Sequence, residues 1–175
     1  MREMLEQLRE YLDEFIINYN EASFELYSCK SYIDNYNDIS EEISERTSQI
    51  LSISSMLSLL EKENALKQSD ITEITKIPGT VYNKIKNESG SLSVISKDHL
   101  CTLAICFMLS EEDSLRFLKA GNAFLKPHES PYDAAFLFFV TKWHYDTDRS
   151  LNVQAFEECK KYAYRGCRSV CHSNR

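Results

Sequence analysis

The chain has 175 residues, 43% of them hydrophobic, and a formal net charge of −7. That apolar fraction supports a core and excludes wholesale disorder. Only 4 Gly and 3 Pro exclude a many-stranded sandwich or barrel, which needs a turn signal roughly every 8–12 residues. The longest apolar stretches, Ala134 to Val140 among them, are far short of a bilayer span. The acidic start Met1-Arg2-Glu3-Met4 carries no secretory signal. An all-α, cytoplasmic protein with no membrane partner is expected.

The predicted elements follow in chain order. Met4, Leu5, Leu8, Leu12, Phe15, Ile16 and Tyr19 recur at steps of three and four, which predicts an amphipathic helix from Met1 to about Asn20. Tyr27, Tyr32, Ile33 and Tyr36 suggest a second, wetter helix. Ser40 before Glu41 and Glu42 reads as a further helix start. A broad apolar face containing Ile53, Leu57, Leu59 and Leu60 predicts a largely buried helix from about Ser48 to Lys62. A short helix is expected over Gln68 to Thr75, then a break at Lys76-Ile77-Pro78-Gly79, because Pro78 offers no amide donor. A second short helix follows over Thr80 to Asn87.

Beyond the loop Ser89-Gly90-Ser91, Ser96 is expected to cap a helix running to about Leu109. Ser110 opens another that ends at Gly121 through a positive φ. Ser130-Pro131 starts an aromatic-rich helix to about Tyr145, and Asn152 starts the last, reaching about Tyr164. The organisation expected is an acidic helical N-terminal segment (1–47), a central core (48–125), a C-terminal helical pair (126–164) and a polar tail (165–175).

Charge is uneven along this plan. Residues 1–46 carry 12 acids against 4 bases, whereas residues 66–97 carry a net +2 from Lys67, Lys76, Lys84, Lys86 and Lys97. Two short helices across a tight break, in the locally basic stretch, have the layout of a helix-turn-helix. Leu66, Ile71, Ile77, Val81, Tyr82 and Ile85 form its expected core.

Residues 66–88 with their flanking helices resemble a Cro/lambda-repressor-type helical domain. A narrower resemblance is to a Firmicutes family of helical proteins often described as helix-turn-helix regulators. It is carried by Val81-Tyr82-Asn83-Lys84-Ile85-Lys86, by Ser96-Lys97 leading into Leu103-Ala104-Ile105-Cys106, by Leu109-Ser110-Glu111-Glu112, by Leu118-Lys119-Ala120-Gly121 and by Tyr132-Asp133. The similarity covers about residues 48–163. It implies a lambda-repressor-like core with N-terminal acidic helices and a C-terminal helical extension, and it brings no catalytic residue. The chain departs from the family at Asn122, where an aromatic is usual, and at the polar ending from Arg165-Gly166-Cys167 onward.

On this reading Gln68, Thr80, Asn83, Lys84, Lys86 and Asn87 are the candidate DNA-binding residues. Asn pairs bidentately with adenine, Lys reaches guanine or phosphate, and Thr touches a thymine methyl. Three or four lysines on phosphates would give a log–log salt slope of roughly −3 to −4. The set contains no Arg. The same fold could instead dock a protein, helped by the acidic front. A homodimer, as two DNA half-sites require, would be joined through the front helix or the aromatic helix near Phe136.

No enzymatic motif accompanies these residues. Glycine is too rare for a phosphate loop, no Gly-x-Ser-x-Gly elbow occurs, and His99, His128, His144 and His172 are scattered. Cys159, Cys167, Cys171 and His172 lack a Cys-x2-Cys pair, so reduced thiols are expected rather than zinc or disulfides. No cofactor is expected.

Overall fold

The computed structural model describes residues 3–12, 52–87, 95–127 and 129–170. Within them the chain forms eight α-helices and no strand: α1 (3–12), α2 (Ile53–Glu63), α3 (Gln68–Thr75), α4 (Gly79–Asn87), α5 (Lys97–Cys106), α6 (Glu111–Ala120), α7 (Pro131–Lys142) and α8 (Arg149–Val170). Among the described residues no helix is long and apolar enough to cross a membrane. The helices expected between residues 20 and 47 and the loop at Ser89-Gly90-Ser91 lie outside the described residues.

Several helix starts follow from local chemistry. Ser52, Ser110 and Ser130 each turn a hydroxyl oxygen onto an early amide, from Ser55, Asp113 and Asp133 respectively. This satisfies one of the four N–H groups that a helix start leaves free. Pro131 sits in the first turn of α7, where its missing donor costs nothing.

The core is centred on α5, α7 and α8. Every residue from Leu100 to Cys106 is buried, as are Tyr132 to Phe136. The rings of Phe136, Phe139 and Phe156 meet edge to face at centroid distances of 5.5–5.7 Å. Fully burying each such side chain contributes about 1.5–3 kcal/mol. Phe136 is therefore core.

α1 is seated on the same core. Met4 and Leu8 are buried, the Met4 sulfur lies 3.8 Å from Cys159 Sγ on α8, and Tyr11 packs against Phe138 of α7 with ring centroids 5.3 Å apart. The described part of the front helix thus spends its apolar face within the chain.

Several sequence expectations are corrected. α2 buries only a stripe, Ile53 and Leu57, and leaves Leu59 45% exposed. α5 stops at Cys106 rather than Leu109, because Met108 takes a left-handed φ of 56° and the Leu109 amide turns back to Ala104 O. α6 does end at Gly121, but Gly121 has φ −88° and Asn122 carries the positive φ of 55°. The requirement at 121 is space, since a Cβ there would lie 2.4 Å from Leu100 Cδ1. Finally, α8 starts at Arg149, not Asn152, and runs to Val170, so residues 165–170 are helical rather than tail. Asp148 is the cap, accepting the Ser150 amide at 2.8 Å. Asn152 is buried and clamps the preceding loop: its Oδ1 accepts from Trp143 Nε1 and the Asp146 amide, and its Nδ2 donates to Asp146 O. α7 accordingly ends at Lys142, short of Tyr145.

Candidate functional site

α3 and α4 are joined by residues 76–78, and the connection is fixed by one hydroxyl. Thr75 Oγ1 donates to Ile71 O at 2.7 Å and accepts the Ile77 amide at 3.3 Å, while Lys76 takes a left-handed φ of 58°. Pro78 follows, and its carbonyl accepts from both Val81 and Tyr82, which starts α4 at Gly79. At the other end of α3 the Lys67 amide donates to Asp70 Oδ2 at 2.9 Å.

Behind this pair, Ile71, Ile77, Tyr82 and Ile85 are buried and Leu66 and Val81 half-buried, the six residues expected from the sequence. Tyr82 is fully buried and donates its hydroxyl to Glu61 Oε1 at 2.8 Å. Burial first, and the Glu61 bond second, push its phenol far above the ordinary value, so it is a permanent donor.

Of the sequence-derived site residues, Thr80, Asn83, Lys84 and Asn87 are exposed and Gln68 is half-exposed. Positions 80, 83, 84 and 87 follow the i, i+3, i+4, i+7 spacing of one helix face. Gln68 joins them from α3: a Cβ at Gly79 would lie 3.7 Å from its Nε2, so its amide sits beside the first turn of α4.

Lys86 stands apart from this group. Its Nζ is paired with Glu61 Oε2, and the two side chains are 29% and 15% exposed. The expectation that Lys86 points outward as a free cation is corrected accordingly. Glu61 itself went unnoticed in the sequence. Its signal was present, because Ile53, Leu57 and Glu61 stand at steps of four and therefore share the buried stripe.

A second polar cluster ties α5 to α7 and α8. Asp133 is fully buried, with Lys97 Nζ 2.7 Å from its carboxylate and the Lys126 amide donating at 2.7 Å. Asp98 accepts from Lys160 at 2.8 Å and from Tyr132 at 2.9 Å. Burial raises the Asp98 carboxyl, but the Lys160 bond and charge, the Tyr132 bond and the nearby His99 together outweigh it and leave the value lowered. Lys160 also pairs with Glu157. The Lys97–Asp133 and Lys160–Asp98 pairs cross between helices, while Asp133 Oδ1 is buried and accepts no hydrogen bond.

Beside α3 lies a groove of about 700 Å³ against α8, bordered by Glu73, Ile74, Lys76, Val153, Glu157 and Lys161.

The thiols described are core residues. Burial pushes Cys101 up to about 12, Cys106 to about 11 and Cys159 to about 12. Cys159 is a free, buried thiol, and the side chain of Cys167, together with Cys171 and His172, lies outside the described part of the structure. Among the described residues no group of three or more His, Cys, Asp or Glu is placed to hold a metal ion. His99 is half-buried, His144 is exposed, and His128 lies outside the described residues.

No family model, curated protein or solved structure matches the chain.

Proposed function

We propose that this chain is a non-enzymatic regulator that binds double-stranded DNA, with α3 and α4 acting as a helix-turn-helix and α4 entering the major groove. The supporting observation is the exposed row Thr80, Asn83, Lys84 and Asn87, with the Gln68 amide beside its leading end. Each of these side chains has hydrogen-bonding or methyl chemistry that matches base edges or phosphate. The row is backed by the core, since Tyr82 and Ile85 on the opposite face of α4 are buried. The proposed setting is the cytoplasm, with a homodimer on two half-sites.

The test is retention of a random duplex library by the full chain, beside Lys84→Glu. Retention by the parent and its loss in the variant, with unchanged circular dichroism, supports the reading. Equal retention by both, or none by the parent, overturns it.

A second reading is favoured by one observation: Glu61 neutralises Lys86, which thins the positive charge of α4. On that reading the same exposed row docks a protein, and the chain is an adaptor helped by its acidic first 46 residues. It predicts no duplex retention at any salt concentration, together with a stoichiometric protein partner lost in Asn83→Ala.

A further inference from the structure

We infer that α4 selects A·T base pairs through carboxamides, and that Glu61 withholds Lys86 from the DNA backbone. The inference rests on the DNA-binding reading above and specifies its ligand.

The outward row of α4, with half-exposed Gln68 of α3 beside it, offers three carboxamides (Gln68, Asn83 and Asn87), one hydroxyl with its methyl (Thr80) and one ammonium (Lys84). A carboxamide presents a donor and an acceptor side by side, which matches the N6 donor and N7 acceptor of adenine. A threonine methyl fits the C5 methyl of thymine. Guanine presents two acceptors and is served best by Arg or Lys, of which the row has only Lys84. The chemistry is therefore weighted toward A·T.

The cation next in line is removed by geometry. Lys86 lies two residues beyond Lys84, and its ammonium is bound to Glu61 of α2. Glu61 is held in turn by the Tyr82 hydroxyl at 2.8 Å. The carboxylate thus has two partners from α4, at positions 82 and 86, and fastens the buried side of that helix to α2. Freeing Lys86 would break one half of this clamp, so Lys86 acts as a positioning residue rather than a phosphate contact. Affinity then depends less on salt than a count of lysines in the sequence suggests.

The experiment uses the full chain and two duplexes of equal length, one alternating A·T and one alternating G·C, each titrated across a salt series. The expected result is about tenfold tighter binding to the A·T duplex. Asn83→Ala should weaken the preference without moving the salt slope. Lys84→Met should make the slope shallower by about 0.9, the contribution of one phosphate contact, whereas Lys86→Met should leave it unchanged. Glu61→Gln keeps an acceptor for Tyr82 but frees the ammonium, and should steepen the slope by about 0.9.

Equal binding to both duplexes overturns the A·T assignment while leaving DNA binding intact. A slope that falls in Lys86→Met as much as in Lys84→Met overturns the clamp. Absence of binding to either duplex by the parent overturns the DNA-binding reading itself and this inference with it. Because Lys86→Met retains the Tyr82–Glu61 bond, it keeps the clamp testable if Glu61→Gln fails to fold.

Discussion

Arg149, the first residue of α8, donates through Nη2 to Asn64 Oδ1 at 2.8 Å and through Nη1 to Cys106 O at 2.7 Å. Asn64 caps α2 and Cys106 ends α5, so one guanidinium joins the C-terminal ends of two helices to the start of a third. The planar fork suits this task because its donors diverge at fixed angles. A positive charge beside two helix C-termini is also favourable to the helix dipoles.

Arg149→Met should therefore destabilise the fold by about 1.5–3 kcal/mol, the range for hydrogen bonds made by a charged donor, read as a lower urea midpoint. The Cys106 thiol supplies a local readout. Burial pushes it up to about 11 and Arg149 pulls in the opposite direction, so its ionisation should move higher in the variant.

The Lys97–Asp133 pair should respond unequally to loss of either partner. The Asp133 side chain is fully buried, whereas that of Lys97 is 34% exposed. Lys97→Met leaves a carboxylate in the core with the Lys126 amide as its remaining described donor, and should cost about 3–5 kcal/mol. Asp133→Asn leaves an ammonium that can reach water, and should cost less. Chemical denaturation of the two variants and their double mutant checks the order. Equal losses would show that the pair does not carry this asymmetry.

Gly121→Ala should lower stability by about 1–3 kcal/mol through overpacking. The added Cβ would lie 2.4 Å from Leu100 Cδ1, and Leu100 is itself fully buried with little room to rotate. The backbone is not the cause, since φ at 121 is an ordinary −88°. A second change, Leu100→Val, should recover part of the loss, and the thermal midpoints of the four proteins in the cycle decide it.

Acid should loosen the α5–α8 connection. The lowered Asp98 carboxyl adds stability that is complete above 3.8, its unfolded value, and is lost as pH falls through the lower folded value. The thermal midpoint should drop in that window. In Asp98→Asn the midpoint should be lower at neutral pH, and the gap to the parent should close on acidification. A gap independent of pH would remove the ion pair as its cause.

Features governed by neighbours in sequence were legible before the structure. Ser110 and Ser130 announce their helices, because a hydroxyl reaches an amide only three residues away, and Pro78 announces the turn between α3 and α4 for an equally local reason. The six residues behind that pair were legible from helical spacing alone. What escaped was set by distant chain. Asp148 and Asn152 are both good capping residues; the choice between them is made by Trp143 and Asp146, which recruit Asn152 into the loop. Gly121 announced a helix end correctly, but its reason is Leu100, 21 positions earlier in the chain. Lys86 reads in the sequence as one more cation of α4, whereas Glu61, 25 residues away, pairs with it.

The contact of Met4 with Cys159 spans 155 positions. Its consequence concerns the order of events during biosynthesis. Residues at the beginning of the chain leave the ribosome long before their seat on α8 has been made, and the Arg149 tie across 85 positions also waits for that helix. Closing such loops is slow, and meanwhile Leu8 and its neighbours stay open to solvent. Final consolidation is thus a late step of maturation, and the nascent chain is at its most aggregation-prone just before it.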